Sequence, residues 1–148
     1  MRFYRVALSI LICCVLLTGC LSNIQPQEIE SGFSAELVQM LADLYELAIP
    51  DSAVFVKGYF DNAMRDPTVW IVFEIDESDL DNMLSDAWRD DTDSYTYDAD
   101  VFDHLVEIDV RQYYTYTGEM FTYLYCSTEV DGKVTCAFHG RHPGNAIR

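Results

Sequence analysis

Thr68-Val-Trp-Ile-Val-Phe-Glu-Ile75 decides the fold class. A strand with one face in water alternates apolar and polar residues, and this stretch does not. Val69, Ile71, Phe73 and Ile75 share one face, while Trp70 and Val72 share the other. Apolar on both sides, it reads as an inner strand covered on both faces. Just upstream, Ala53-Val-Phe-Val-Lys-Gly-Tyr-Phe60 reads as a second strand, with Asp61 to Pro67 as the polar loop between them.

Helical patterns flank this pair. Ser34 is placed as an N-cap with Glu36 in the first turn, and Leu37, Met40, Leu41, Leu44, Leu47 and Ala48 follow at helical spacing until Pro50. On the other side Ser78 and Asp81 resemble a capping box. Leu80, Met83, Leu84, Ala87 and Trp88 form a second amphipathic stripe, in which Met83 and Trp88 read as core. Residues 90–118 support two readings. Val106, Ile108 and Val110 alternate as a strand would, whereas Val101, Phe102, Leu105 and Val106 fit a turn of helix. Met120 to Thr128 and Lys133 to His139 read as a closing hairpin. The order predicts an α+β domain over residues 34–139, an antiparallel sheet of four or five strands with two helices, compatible with two α-β-β units, followed by a tail at 140–148.

Composition sets outer bounds. The chain has 148 residues, 50% hydrophobic and 14% aromatic, enough apolar surface for one domain with a core. Its 25 acids against nine Lys and Arg give a formal charge of -16. A net anion with scattered bases lacks the Lys/Arg stripe that phosphate binding requires, so nucleic acid is excluded as an expected partner. No cofactor box is present.

The first twenty residues carry an address. Met1-Arg-Phe-Tyr-Arg5 is a short basic segment, Val6 to Leu17 an apolar run, and Leu17-Thr18-Gly19-Cys20 a small-residue cleavage region. A membrane-spanning helix is the competing reading, but the run ends by Leu21 and a span needs about 20 apolar residues. The ending resembles the lipobox of bacterial lipoprotein precursors. The resemblance implies a diacylglyceryl thioether on Cys20, acyl chains such as palmitate, and cleavage of residues 1–19. It covers only this segment. Two acyl chains suffice for stable anchoring. The expected location is therefore the extracytoplasmic side of the cell membrane or outer membrane. Residues 20–33, with the lipidated Cys20 at their head, read as a tether. From Cys20 onward seven bases face 25 acids, a formal charge of -18, so the lipid and not a polybasic patch would hold the domain at the membrane.

Beyond Cys20 only Cys126 and Cys136 remain, in the hairpin Leu124 to Phe138. A three-residue loop at Val130-Asp131-Gly132 sets Glu129 against Lys133 and Cys126 against Cys136, where a disulfide can bridge the strands. A two-residue Asp131-Gly132 turn sets Cys126 against Ala137 instead. The first register is preferred because it also pairs Leu124 with Phe138 and Thr128 with Val134. Export favours the disulfide over two buried thiols, and two cysteines without further ligands are a poor zinc site.

Chemistry-bearing patterns are sparse. No Gly-x-Ser-x-Gly or Ser-x-x-Lys occurs. His139 and His142 flank Gly140 and Arg141 in what reads as a terminal loop, a weak scaffold for a metal, with His139 at a strand end. Fourteen acids lie between Glu74 and Asp109 with Arg89 as the only Lys or Arg among them. Read as a calcium loop from Asp91 and Asp93, this stretch puts Tyr95 at position five, Thr96 at the turn glycine and Phe102 at the bidentate glutamate, so the motif is absent. No metal or other cofactor is expected. The acids stand beside tyrosines, which either cover the sheet or supply contact area to a partner. Asp90, Asp91, Asp93, Tyr95 and Tyr97 are accordingly the candidate partner-binding residues. The expected role is a non-catalytic, lipid-anchored binding domain for a basic protein or envelope component. An inhibitor or immunity-type lipoprotein against a basic enzyme or toxin is the first alternative, and an envelope enzyme the second.

Overall fold

The computed structural model describes residues 27–30, 32–61, 68–94, 109–118 and 122–141. Helix α1 (Ala35–Tyr45) begins as its sequence directs: Ser34 is extended and its hydroxyl accepts the Leu37 N–H at 3.2 Å. Leu37, Met40, Leu41 and Tyr45 form its buried stripe. The helix stops at Glu46, which takes a left-handed φ of 50°, and not at Pro50. Leu47 is buried beyond the helix end, bridged to Leu84.

Seven strands form one sheet among the described residues: β1 (Gln27–Glu28), β2 (Val54–Asp61), β3 (Thr68–Asp76), β4 (Trp88–Asp90), β5 (Val110–Tyr116), β6 (Tyr123–Ser127) and β7 (Lys133–Arg141). Their order is β1-β2-β3-β7-β6-β5-β4, with every pairing antiparallel. The fold is α+β, and the sheet is larger than the four or five strands expected. Both additional strands lie at the edges. β1 comes from the stretch read as tether, where Gln27 and Glu28 pair with Phe60 and Tyr59 and Ile29 enters the core. β4 comes from the stretch read as the second helix. At the other end of the chain, Gly140 and Arg141 continue β7 opposite Val69 and Thr68, so the sheet runs into the expected tail.

The second helix is a single turn, α2 (Leu80–Met83), entered through a 3-10 turn at Glu77–Asp79. The expected capping box does not form. Ser78 lies within the 3-10 turn, and the Asp79 carboxylate accepts the Ser52 hydroxyl at 2.6 Å. Tertiary pairing then takes over the stripe. The Met83 carbonyl accepts the Ala48 N–H at 3.0 Å, Leu84 is extended against Leu47, and Trp88 pairs with Tyr116. Met83 and Trp88 are nonetheless core, as expected, and the Trp88 indole N–H donates to the Tyr45 carbonyl at 2.9 Å. Among the described residues four strands follow α2 and two lie between α1 and α2, so these elements do not form two equal α-β-β units.

β3 sits between β2 and β7. Val69, Ile71, Phe73 and Ile75 pack with α1, Leu124, Cys126, Cys136 and Phe138 into the main core. Each such fully buried side chain contributes about 1.5–3 kcal/mol relative to exposure. On the opposite face Val72, Ala137 and Tyr125 are buried among Trp70, Tyr113 and Tyr123.

The hairpin turn corrects one expectation and keeps another. Val130 and Lys133 exchange backbone hydrogen bonds of 2.9 and 3.0 Å around Asp131 and Gly132, both at positive φ (53° and 77°), a two-residue type I′ turn. Lys133 therefore faces Val130, not Glu129. Yet Cys126 still stands opposite Cys136 and Leu124 opposite Phe138. Three residues on the β6 side, 127–129, span the distance that two, 134–135, cover on β7, and this bulge restores the register.

Candidate functional site

The acidic residues singled out by sequence lie at the β4 edge. Asp90 pairs with Tyr114 in the ladder, and its carboxylate accepts the Thr92 N–H at 2.9 Å, opening the 3-10 turn Thr92–Ser94. The hydrogen bonds from Thr92 hold its pKa below the usual carboxylate range. Asp91 is engaged on three sides. Arg89 donates from Nε and Nη2 at 2.9 and 2.7 Å, Thr115 donates its hydroxyl, and the Asp91 N–H donates to the Tyr113 carbonyl at 2.9 Å. The Arg89 contact above all, then Thr115, lowers the Asp91 pKa. Thr92 completes the edge by accepting the Tyr113 N–H on its hydroxyl at 2.9 Å. Asp93 is exposed.

The three acids are thus not equivalent. Asp91, just past the end of β4, is neutralised by the bidentate Arg89 of that strand, and the outward field of the corner comes from Asp90 and Asp93. Tyr95, Tyr97 and Cys20 lie outside the described residues.

The tyrosines of β5 divide by strand alternation. Tyr114 and Tyr116 pack toward α1, and burial pushes the Tyr114 hydroxyl up to about 12. Tyr113 lies on the opposite face, where it stacks with Tyr123 at 5.7 Å and meets Tyr125 at 5.1 Å between ring centroids. Beside them the His139 imidazole stacks on Trp70, with Tyr123 at 6.0 Å. His139 is interior to β7 and not at a strand end. This aromatic row across β3, β7, β6 and β5 was not foreseen. Its residues are scattered between positions 70 and 139, and only the register brings them together.

Cys126 and Cys136 point into the main core as free thiols, Sγ to Sγ 3.3 Å. Burial and the neighbouring sulfur hold Cys126 as a thiol, with its pKa well above the ordinary value; the contact with Cys136 contributes most. Among the described residues no three His, Cys, Asp or Glu side chains converge as a metal site, and no helix is long and apolar enough to cross a membrane. No family model matches the chain, and no curated protein or solved structure is significantly similar to it.

Proposed function

We propose that this chain is a lipid-anchored, extracytoplasmic lipoprotein whose domain binds a basic protein or envelope component and catalyses no reaction. The lipobox-like segment ending at Cys20 supplies the anchor in this reading. Support comes from one feature of the sheet: the strand that follows the anchor and the strand that carries the acids are its two opposite edges. β1 begins at Gln27, seven residues from Cys20, a reach of at most about 25 Å at full extension. β4 is six strand spacings away, about 29 Å across the sheet. An anchored domain would thus hold its β1 edge near the bilayer and can turn Asp90 and Asp93 away from it. A formal charge of -18 on residues 20–148 favours that orientation over contact with anionic lipid.

Two experiments test the reading. Cys20→Ala should move the full-length chain out of the detergent phase in a partition assay; retention of an unprocessed precursor in the membrane overturns the lipid anchor. For binding, the lipidated chain is used to isolate its envelope partner, and association is measured across salt. Steering by the acidic corner predicts a several-fold loss as the Debye length falls from about 30 to 8 Å. The double variant Asp90→Asn/Asp93→Asn, which keeps a side-chain acceptor for the Thr92 N–H at 90, should lose a similar factor at low salt. Binding insensitive both to salt and to this variant overturns the acidic corner as the contact.

A further inference from the structure

The β6–β7 hairpin has a register that its turn does not supply. Continued without interruption, the type I′ turn closing on Val130 and Lys133 would set Cys126 against Ala137. The extra residue at 127–129 moves the pairing by one and sets Cys126 against Cys136. Where the ladder is interrupted, side chains take its place. Ser127 Oγ accepts the Thr135 N–H at 3.0 Å, and the Glu129 carboxylate accepts the Gly132 N–H. The turn is also tied to the end of β3 by Lys133 to Asp76 at 2.6 Å, and to the 3-10 turn that follows by the Glu77 N–H donating to the Gly132 carbonyl at 3.0 Å. Directly opposed residues on antiparallel strands have Cα atoms about 4.5–5.5 Å apart, inside the window a disulfide needs. The sulfurs are already in contact at 3.3 Å.

We propose that in the exported protein Cys126 and Cys136 are joined by a structural disulfide, introduced by exchange with an extracytoplasmic disulfide oxidoreductase as the hairpin closes. This rests on the export reading of the N-terminal segment. The thiolate of one cysteine attacks the enzyme's disulfide, forming a mixed disulfide and releasing one enzyme thiolate. The second cysteine's thiolate then attacks the mixed disulfide. The Cys126–Cys136 bond forms, the enzyme leaves as a dithiol, and two electrons pass to it. Both protons lost from the substrate thiols reappear on the enzyme or in solvent. Because Cys126 and Cys136 are each 0% exposed, exchange precedes packing of the core, and the finished bond is shielded from thiol reductants. Its role is to fix the register and not to switch.

The chain itself provides the assay. Trypsin cuts after Arg111, Lys133 and Arg141, which separates Cys126 (112–133) from Cys136 (134–141). Full-length protein recovered from the envelope fraction in alkylating denaturant and digested without reduction should show these peptides as one linked mass that splits on reduction. Two alkylated thiols in membrane-retained protein overturn the proposal. If the chain is absent from the envelope, the export reading fails separately, and the pairing is decided on purified chain refolded in a glutathione redox couple. An intramolecular bond at least tenfold in excess of glutathione adducts supports it; adducts or free thiols overturn it. The oxidised protein should melt on the order of 10 °C above the reduced form. The double variant Cys126→Ala/Cys136→Ala should show no response to reductant.

Discussion

The Trp70 indole lies against the His139 imidazole, ring centroids 3.7 Å apart and planes 22° from parallel, at a point where β3 and β7 pair residue for residue. Tyr123 continues the row on β6, directly across from His139. Burial in this row lowers the His139 pKa to about 4, and Nδ1 is buried without a hydrogen-bond partner among the described residues. The imidazole is therefore neutral in the fold at pH 7.

That neutrality makes stability depend on pH in a defined window. The unfolded chain takes up a proton on His139 near pH 6.5, whereas the folded chain resists it down to about 4. Between these values the unfolded state binds more protons, so stability falls as pH drops from about 6.5 to 4, by up to about 3 kcal/mol, and is unaffected by this group above that range. Denaturant melts of the wild type across pH 4 to 7 should show the slope. His139→Phe, which keeps a ring against Trp70 and removes the titration, should flatten it. An unchanged slope in that variant would assign the effect to another group.

The division of labour among the acids is also testable. Asp91→Asn removes the charge and one of the two acceptor oxygens that Arg89 and Thr115 share and should lower the melting temperature. Asp93→Asn should leave it within error. Salt should narrow the gap between wild type and Asp91→Asn, because the Arg89 side chain is 67% exposed and the ion pair is screened. Equal melting temperatures for the two variants would mean that the Asp91 contacts are dispensable.

Gly140 is a position where β7 passes close to the core aromatics. A Cβ there would stand 2.5 Å from Phe138 Cζ and 2.9 Å from Tyr45 Cζ. Tyr45 is held by donating its hydroxyl to the Arg141 carbonyl at 2.6 Å, so it has little room to give. Gly140→Ala should cost about 1–3 kcal/mol as overpacking. Gly132→Ala, at φ 77° with no neighbour within 4 Å, should cost about 1 kcal/mol through backbone strain alone. Urea melts of both variants separate the two causes, because the smaller side chain in the variant Tyr45→Leu/Gly140→Ala should recover part of the first loss relative to Tyr45→Leu alone and has no bearing on the second.

Much of the fold was legible because its signals are local. Ser34 and the stripe Leu37, Met40, Leu41 lie within a few turns of one another, and a capped amphipathic helix follows from that spacing alone. β3 was legible because six of its residues, Val69 to Phe73 and Ile75, are apolar, and the place of the last turn because Asp131-Gly132 readily accepts positive φ, although the three-residue loop was the preferred reading there. The stripe from Leu80 to Trp88 has the same kind of local signal and folds otherwise. Leu47 and Ala48, more than thirty residues upstream, offer Leu84 and Met83 backbone partners, and Tyr45 offers Trp88 an acceptor. Those contacts outweigh a propensity worth a few tenths of a kcal/mol per residue.

By itself the sequence determined the α+β class, the position of α1, the inner place of β3 and the site of the last turn, whereas the second face of β3 buries only Val72 and leaves Glu74 exposed. Each depends on residues close together in the chain. The tertiary structure alone decided the edge strands, since Gln27-Glu28 carries no strand pattern and becomes one by pairing with Phe60 and Tyr59. It decided that Asp91 is spent on Arg89 and Thr115 while Asp93 is not. It also decided the meeting of Trp70 with His139, and it reached the expected pairing of Cys126 with Cys136 through a bulge and not through a three-residue loop. Register is a relation between strands, and a shift of one residue, here made by a bulge, exchanges the two faces of a strand without altering its composition.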